Sequence, residues 1–207
     1  MIDKPQTVER IRLQITETEK HWAARKIDAL GLAGPRFIVG MAPGAAFGPA
    51  KRWLPERFAA LADRLIGALN ADVLIFGSVA ERPLAEEIAG AMNHTPVIAA
   101  GETSLRQLLA LMARCRLMVT NDSGPMHLAA ALGIPLVAIF GSTDARATGP
   151  LGTPVRIVTR GVACSPCGLR LCPIDFRCMQ DISVEQAFRA TLEFVKRWNI
   201  AHDHSAS

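Results

Sequence analysis

Along most of this chain, short apolar runs bounded by glycine alternate with stretches whose apolar residues recur every three or four positions. The runs Phe37-Ile38-Val39-Gly40-Met41, Val73-Leu74-Ile75-Phe76, Val97-Ile98, Leu117-Met118-Val119 and Leu136-Val137-Ala138-Ile139-Phe140 read as strands. Between them, residues 55–69 place Phe58, Leu61, Leu65 and Leu69 on one helical face, and residues 80–92, 104–115 and 125–132 also read as helices. Ahead of the first strand, residues 6–30 carry a stripe of Ile11, Ile15, Trp22, Ile27 and Leu30. That stripe predicts an opening helix stopped by Gly31 and by Gly34-Pro35. Beyond Gly141 the pattern loosens to one short strand at 155–158 and a helix at 183–198.

Strict alternation of strand and helix implies right-handed crossovers and a parallel sheet covered on both faces. The expected class is α/β, a doubly wound parallel sheet of Rossmann-like type. The expected organisation is an N-terminal helix and connection (1–35), one Rossmann-like domain (36–200) containing a Cys-rich loop at 164–178, and a small polar tail (201–207) that frays. In such sheets ligands bind at the C-terminal ends of strands, where helix N-termini present free N–H groups and partial positive charge.

Composition narrows the partners. Half of the 207 residues are apolar and a fifth are charged, which fits a globular domain and not a disordered one. The 16 glycines and 13 prolines fall without run or period, against collagen-like or low-complexity chains. No run of eighteen apolar residues occurs, and residues 1–12 lack the apolar core of a signal peptide, so a cytoplasmic location is expected. A net charge of +4 spread along the chain, with no Tyr, argues against nucleic acid as a partner. It suits a phosphate-bearing small molecule or an anionic membrane surface.

Four segments could carry chemistry. Residues 43–53 form a Gly-rich loop after a strand, but Lys51 does not stand in a G-x4-G-K-[ST] frame and no G-x-G-x-x-G is present. What remains is a close-approaching backbone followed by the cations Lys51 and Arg52, or simply a turn with two solvated charges. Residues 119–127 deliver a strand into Asp122, Ser123, Gly124 and Pro125, with His127 in the first helical turn. That is an anion-binding helix start, or a well-capped structural helix. Glu81 and Thr103 lie at two further strand-to-helix transitions, where a carboxylate accepts from ribose hydroxyls or merely favours the helix dipole. Lastly, Cys164, Cys167, Cys172 and Cys178 offer enough thiols for tetrahedral zinc, although their gaps are irregular; buried reduced thiols and redox chemistry are the alternatives. Cys115 reads as core, and no hydrolase constellation appears.

Taken in order, residues 43–53, 120–132 with Phe-Gly-Ser-Thr-Asp at 140–144, and the Cys-rich segment 164–179 resemble the family-9 glycosyltransferases. The likeness is to their ADP-heptose:lipopolysaccharide heptosyltransferases of type II. It spans about residues 37–180 and implies the C-terminal, donor-binding half of a GT-B fold. By that resemblance Lys51 would neutralise the donor diphosphate. Asp122, Ser123, Gly124 and His127 would hold phosphates and heptose, and Glu81 and Thr103 would contact the ribose and base. The implied reaction transfers heptose from ADP-heptose to a heptosyl-Kdo-lipid A acceptor at the inner face of the inner membrane, with no cofactor or metal required. The catalytic base would belong to an N-terminal acceptor half, supplied in trans, and self-association is a further expectation. A non-catalytic nucleotide-sugar-binding remnant and a zinc-stabilised interaction module are the alternatives.

Overall fold

The structure, a computed structural model, describes residues 11–32 and 37–203, with side chains through Arg197. Its strands are β1 (Phe37–Ala42), β2 (Ala71–Ile75), β3 (Val97–Ile98), β4 (Leu117–Asn121), β5 (Leu136–Phe140) and β6 (Val155–Thr159). They form one sheet in the order β3-β2-β1-β4-β5-β6, and every neighbouring pair is parallel. The helices are α1 (Glu17–Ala29), α2 (Pro55–Leu69), α3 (Arg82–Ala91), α4 (Leu105–Met112), α5 (Gly124–Ala131), α6 (Ala145–Thr148), α7 (Arg177–Gln180) and α8 (Val184–Asp203).

The strands read as unbroken apolar runs because both of their faces are covered. Alternate residues divide between two cores. Val39, Met41, Val73, Ile75, Val119, Val137 and Ile139 pack with Phe58, Leu61 and Leu65 of α2, Ile88 of α3 and Val195 of α8. Ile38, Leu74, Met118, Leu136, Ala138 and Phe140 pack with Ile27 of α1, Leu111 of α4 and Met126 of α5. Gly40 of β1 lies on this second face, where a Cβ would overlap Met118. Chain order runs outward from β1 through β2 to β3 and then restarts on the opposite side of β1 with β4. The crevice between the C-terminal ends of β1 and β4 is therefore the topological switch point, where ligands of such sheets bind.

The structure adjusts three boundaries and adds two short helices. The opening helix starts at Glu17 instead of continuing back through Ile11 and Ile15; residues 11–16 are not helical, and the Leu13 N–H donates to the Ala131 carbonyl at 2.9 Å. A reciprocal cap sets this start: the Thr16 hydroxyl accepts from Glu19 N–H at 3.3 Å, and the Glu19 carboxylate accepts from Thr16 N–H at 2.9 Å. Residues 6–10 and the Gly34-Pro35 stop lie outside the described residues, whereas Gly31 closes the helix with φ +74°. At the other end α8 continues past residue 198 to Asp203, since 199–203 contain neither Gly nor Pro; residues 204–207 lie outside the described residues. Two short helices, α6 and α7, stand in the stretch read as irregular. The expected helix from residue 80 is a 3-10 turn at Val79–Glu81 followed by α3. Among the described residues no helix is long and apolar enough to cross a membrane.

Candidate functional site

After β1 the chain turns through residues 43–48 into a 3-10 turn at Pro49–Lys51 and then into α2. Two side chains hold this loop over the end of β4. Asn121, fully buried as the last residue of β4, accepts from Trp53 N–H at 3.1 Å and donates through Nδ2 to the Pro43 carbonyl at 2.6 Å. Trp53 is itself buried, stacks edge-on against Phe58 at 5.2 Å, and donates its indole N–H to the Ile182 carbonyl at 3.0 Å. An amide that satisfies both ends of a loop at once leaves that loop little freedom, because neither partner can leave without exposing an unpaired buried group.

This anchoring delivers Lys51 onto Asp122. The ammonium lies 2.6 Å from Asp122 Oδ2, with the lysine side chain 11% exposed and the aspartate 3%. Asp122 Oδ2 also accepts from the hydroxyls of Thr143 at 2.6 Å and Thr148 at 3.1 Å. Three donors thus converge on one oxygen, while Oδ1 takes no hydrogen bond from the described residues. Thr148 ends α6, whose own start is capped by Asp144 accepting from Arg146 N–H at 2.9 Å. The short helix that sequence periodicity passed over therefore positions one of the three donors. Arg52, the second expected cation, turns back onto its own loop and donates to the Ala45 carbonyl at 3.3 Å.

Beside this pair stands the N-terminus of α5. Ser123 occupies the cap position but makes no cap bond with its side chain; its hydroxyl reaches only to the Asn121 carbonyl at 3.4 Å. The N–H groups of the first turn consequently lack a side-chain acceptor, the arrangement that receives anions. A Cβ at Gly124 would meet nothing within 4 Å, so the backbone there borders open space. His127, one turn further on, is exposed and makes no hydrogen bond with the described residues.

Glu81 and Thr103 sit on the other side of the switch point. The Glu81 carboxylate caps its own turn, accepting from the N–H and hydroxyl of Ser78, each at 2.9 Å. It also lies directly against the β1 loop, for a Cβ at Gly44 would overlap it. Both readings of Glu81 are thus compatible with its position: it is a capping residue, and it borders the crevice. Thr103 is half-buried in the turn after β3, just before the Ser104 cap of α4. With strands about 4.8 Å apart, the line from the end of β3 to the end of β4 runs roughly 14 Å along the sheet edge. An extended nucleotide with a further group attached spans such a line.

The Cys-rich segment is only partly buried. Cys178 is buried, Cys172 half-buried, and Cys164 and Cys167 exposed, so reduced thiols in a core describe only one of the four. Among the described residues no three His, Cys, Asp or Glu side chains form a group able to hold a metal ion. Burial, and after it the neighbouring thiols, push the Cys178 thiol above its ordinary value. Cys115 is core as expected, its thiol pushed strongly up by burial. The main chain of the segment is committed elsewhere. The Ser142 carbonyl after β5 accepts from Cys167 and Gly168 N–H at 3.0 and 2.7 Å, and the Arg170 carbonyl accepts from Ala50 N–H at 3.1 Å. The segment thereby bridges the loops after β5 and β1.

Sequence reasoning named Lys51, Asp122 and Ser123 for this crevice, and the fold brings them together. It assigned no role to Thr143, Thr148, Asn121, Phe47 or Arg170. The 140–144 segment was the signal for Thr143; Phe47, Asn121 and Arg170 lie within the marked segments 43–53, 119–127 and 164–178 without being singled out there, and nothing local marks Thr148.

Comparison with known proteins gives the chain its relatives. The sequence profile of "Glycosyltransferase family 9 (heptosyltransferase)" matches residues 1–176. "Lipopolysaccharide heptosyltransferase 2" of Escherichia coli K12 is 40% identical over 160 residues, covering 75% of this chain and 45% of that protein. "Lipooligosaccharide heptosyltransferase 2" of Haemophilus influenzae is 44% identical over 131 residues, 61% of this chain and 38% of that one. The solved "E. coli ADP-heptose lps heptosyltransferase II" superposes with a TM-score of 0.79 at 33% identity, covering 95% of this chain and 56% of that chain. The chain spans about half the length of the curated relatives it matches.

Proposed function

Taking as premise that the chain belongs to glycosyltransferase family 9, we propose that it is the donor-binding half of a lipopolysaccharide heptosyltransferase, holding ADP-heptose across the β1/β4 crevice. This half corresponds to the C-terminal domain of a GT-B enzyme and comprises residues 36–200, with 1–35 as the connection before it. The observation that carries the reading is the convergence of Lys51, Asp122, Thr143 and Thr148 beside the uncapped N-terminus of α5. The names of the relatives support ADP-heptose as donor and lipopolysaccharide core as acceptor.

In this reading the donor diphosphate lies against the α5 N–H groups and Lys51. As the sugar–oxygen bond breaks, charge builds on the departing ADP, and preorganised positive groups there stabilise it without reorganising. In this reading the α5 N–H groups, with the Lys51 ammonium beside them, face that charge, and no resident metal is invoked. Asp122, Ser123, Gly124 and His127 border the phosphates and heptose; Glu81 and Thr103 face the ribose and base. Inversion needs a base on the far side of the anomeric carbon from ADP. That base belongs to the acceptor half of such an enzyme, acting on a heptosyl-Kdo-lipid A acceptor at the cytoplasmic face of the inner membrane.

The test is thermal unfolding with ADP, ADP-heptose and UDP-glucose. A ligand at a hundred times its Kd stabilises the folded state by about 2.7 kcal/mol, a rise of roughly 5–10 °C for a chain of this size. The expected result is a rise with the ADP compounds alone, abolished in Lys51→Ala. Equal shifts with UDP-glucose, or none with ADP from a cooperatively unfolding protein, would overturn the reading.

A further inference from the structure

We infer that Arg170, carried by the Cys-rich segment, is a second cation for the donor diphosphate, and that the segment is a wall of the donor site. The inference rests on the donor reading above and adds a residue and a structural part to it. Three observations carry it.

The first is placement. The segment is bonded by its main chain to the loop after β5 at Ser142 and to the β1 loop at Ala50. Gly48 permits this docking, since a Cβ there would stand 2.6 Å from the Arg170 carbonyl oxygen. The second is the shared ring of Phe47, with the Lys51 ammonium 4.8 Å and the Arg170 guanidinium 5.4 Å from its centroid. Both cations therefore stand within roughly 10 Å of each other, a separation that an anion with oxygens on two phosphorus atoms can bridge.

The third is charge. A sugar-nucleotide diphosphate carries two negative charges, whereas Lys51 is already neutralised by Asp122 at 2.6 Å. The pair alone offers no net positive charge. The other unpaired arginines near this crevice are committed to main-chain carbonyls, Arg52 to Ala45 at 3.3 Å and Arg57 to Met179 at 3.5 Å. Arg170 makes no ion pair among the described residues, and its exposed guanidinium rests only on the Phe47 face. An unpaired, planar, multiply donating cation at that place suits a phosphate better than a lysine would.

Calorimetric titration of ADP and AMP into the wild-type chain, Arg170→Ala, Arg170→Lys, Phe47→Leu and Lys51→Ala tests this. Arg170→Ala leaves the Arg170 carbonyl in place, and a circular dichroism melt checks that the fold persists. The expected result is ADP binding weakened about tenfold in Arg170→Ala, AMP binding changed less than about twofold, and most of the ADP affinity kept in Arg170→Lys. Unchanged ADP affinity in Arg170→Ala, alongside loss in Lys51→Ala, would overturn the inference and leave the donor reading standing. Equal weakening of ADP and AMP, reproduced by Phe47→Leu and not rescued by Lys, would reduce Arg170 to packing and also overturn it. Absence of ADP binding by the wild-type chain would overturn the donor reading itself.

Discussion

Two loops meet at the C-terminal edge of this sheet, and they are built by opposite means. The junction of Lys51, Asp122 and Asn121 is buried, and its polar atoms bond to side chains far away in sequence. The Cys-rich segment is mostly exposed and is held mainly by its main chain; Ser165 bonds to Gly141 and Asp175 pairs with Arg177, while the side chains of Arg170, Cys164 and Cys167 make no hydrogen bond with the described residues. Burial makes each bond of the first loop obligatory, because a lost partner strands a charge or amide away from water. The second loop carries no such penalty, and it leaves the exposed Arg170 side chain free for something outside the chain. Preorganisation and recognition are thereby divided between neighbouring segments.

The comparison breaks most visibly at Asp122. Removing its charge leaves the Lys51 ammonium without its carboxylate partner, and breaking such a pair costs about 3–5 kcal/mol. Asp122→Asn is therefore expected to melt at least roughly 6 °C lower than wild type. Adding Lys51→Met to it should recover more than half of that loss, which a two-by-two set of melts measures. Recovery of nothing would mean that the pair is not the source of the cost.

A smaller effect belongs to the hydroxyls behind the pair. Thr143→Val and Thr148→Val each remove one donor to Asp122 Oδ2 and should cost about 1–2 kcal/mol, with the serine variants near wild type. Denaturant unfolding at fixed slope reads this directly. In the exposed loop the corresponding expectation is near zero. Cys164→Ser and Cys167→Ser should fall within about 0.5 kcal/mol of wild type. Both thiols should be alkylated by iodoacetamide in the native state, with Cys115 and Cys178 protected, as peptide mass spectrometry will show.

The smallest effect concerns an exposed ion pair, which sharpens the contrast with the buried one. Hydrogen bonding to Arg106, 2.6 Å away, holds the Glu19 carboxyl down at about 2 from its ordinary 4.5. A folded value below the unfolded one stabilises above about pH 4.5, and that contribution is lost as pH falls through this window towards 2. Glu19→Gln should thus melt slightly below wild type at pH 7, and the two melting curves should converge near pH 2. A gap that persists at pH 2 would assign the effect to the helix cap and not to the ion pair.

Much of the fold was legible. Residues 55–69 and 136–140 form the helix and strand that their apolar spacing predicts, and strict alternation anticipated the parallel doubly wound sheet. The opening helix was overextended because the stripe through Ile11 and Ile15 outweighed the reciprocal cap of Thr16 and Glu19, which is equally visible in the sequence. Lys51, Asp122, Ser123 and Gly124 were legible as junction residues, since strand ends and helix starts are where such sheets place ligands.

Periodicity and capping act within a few residues, so the sequence by itself determined the elements, their alternation and the junctions at which chemistry must sit. The partners across those junctions are a different matter. Asp122 meets a lysine 71 positions earlier and threonines 21 and 26 positions later, and Arg170 meets Phe47 from the far end of the sheet order. No local pattern encodes such meetings. They arise only when the crossovers close and the sheet sets which strand ends lie side by side, and that was the decision left to the tertiary structure.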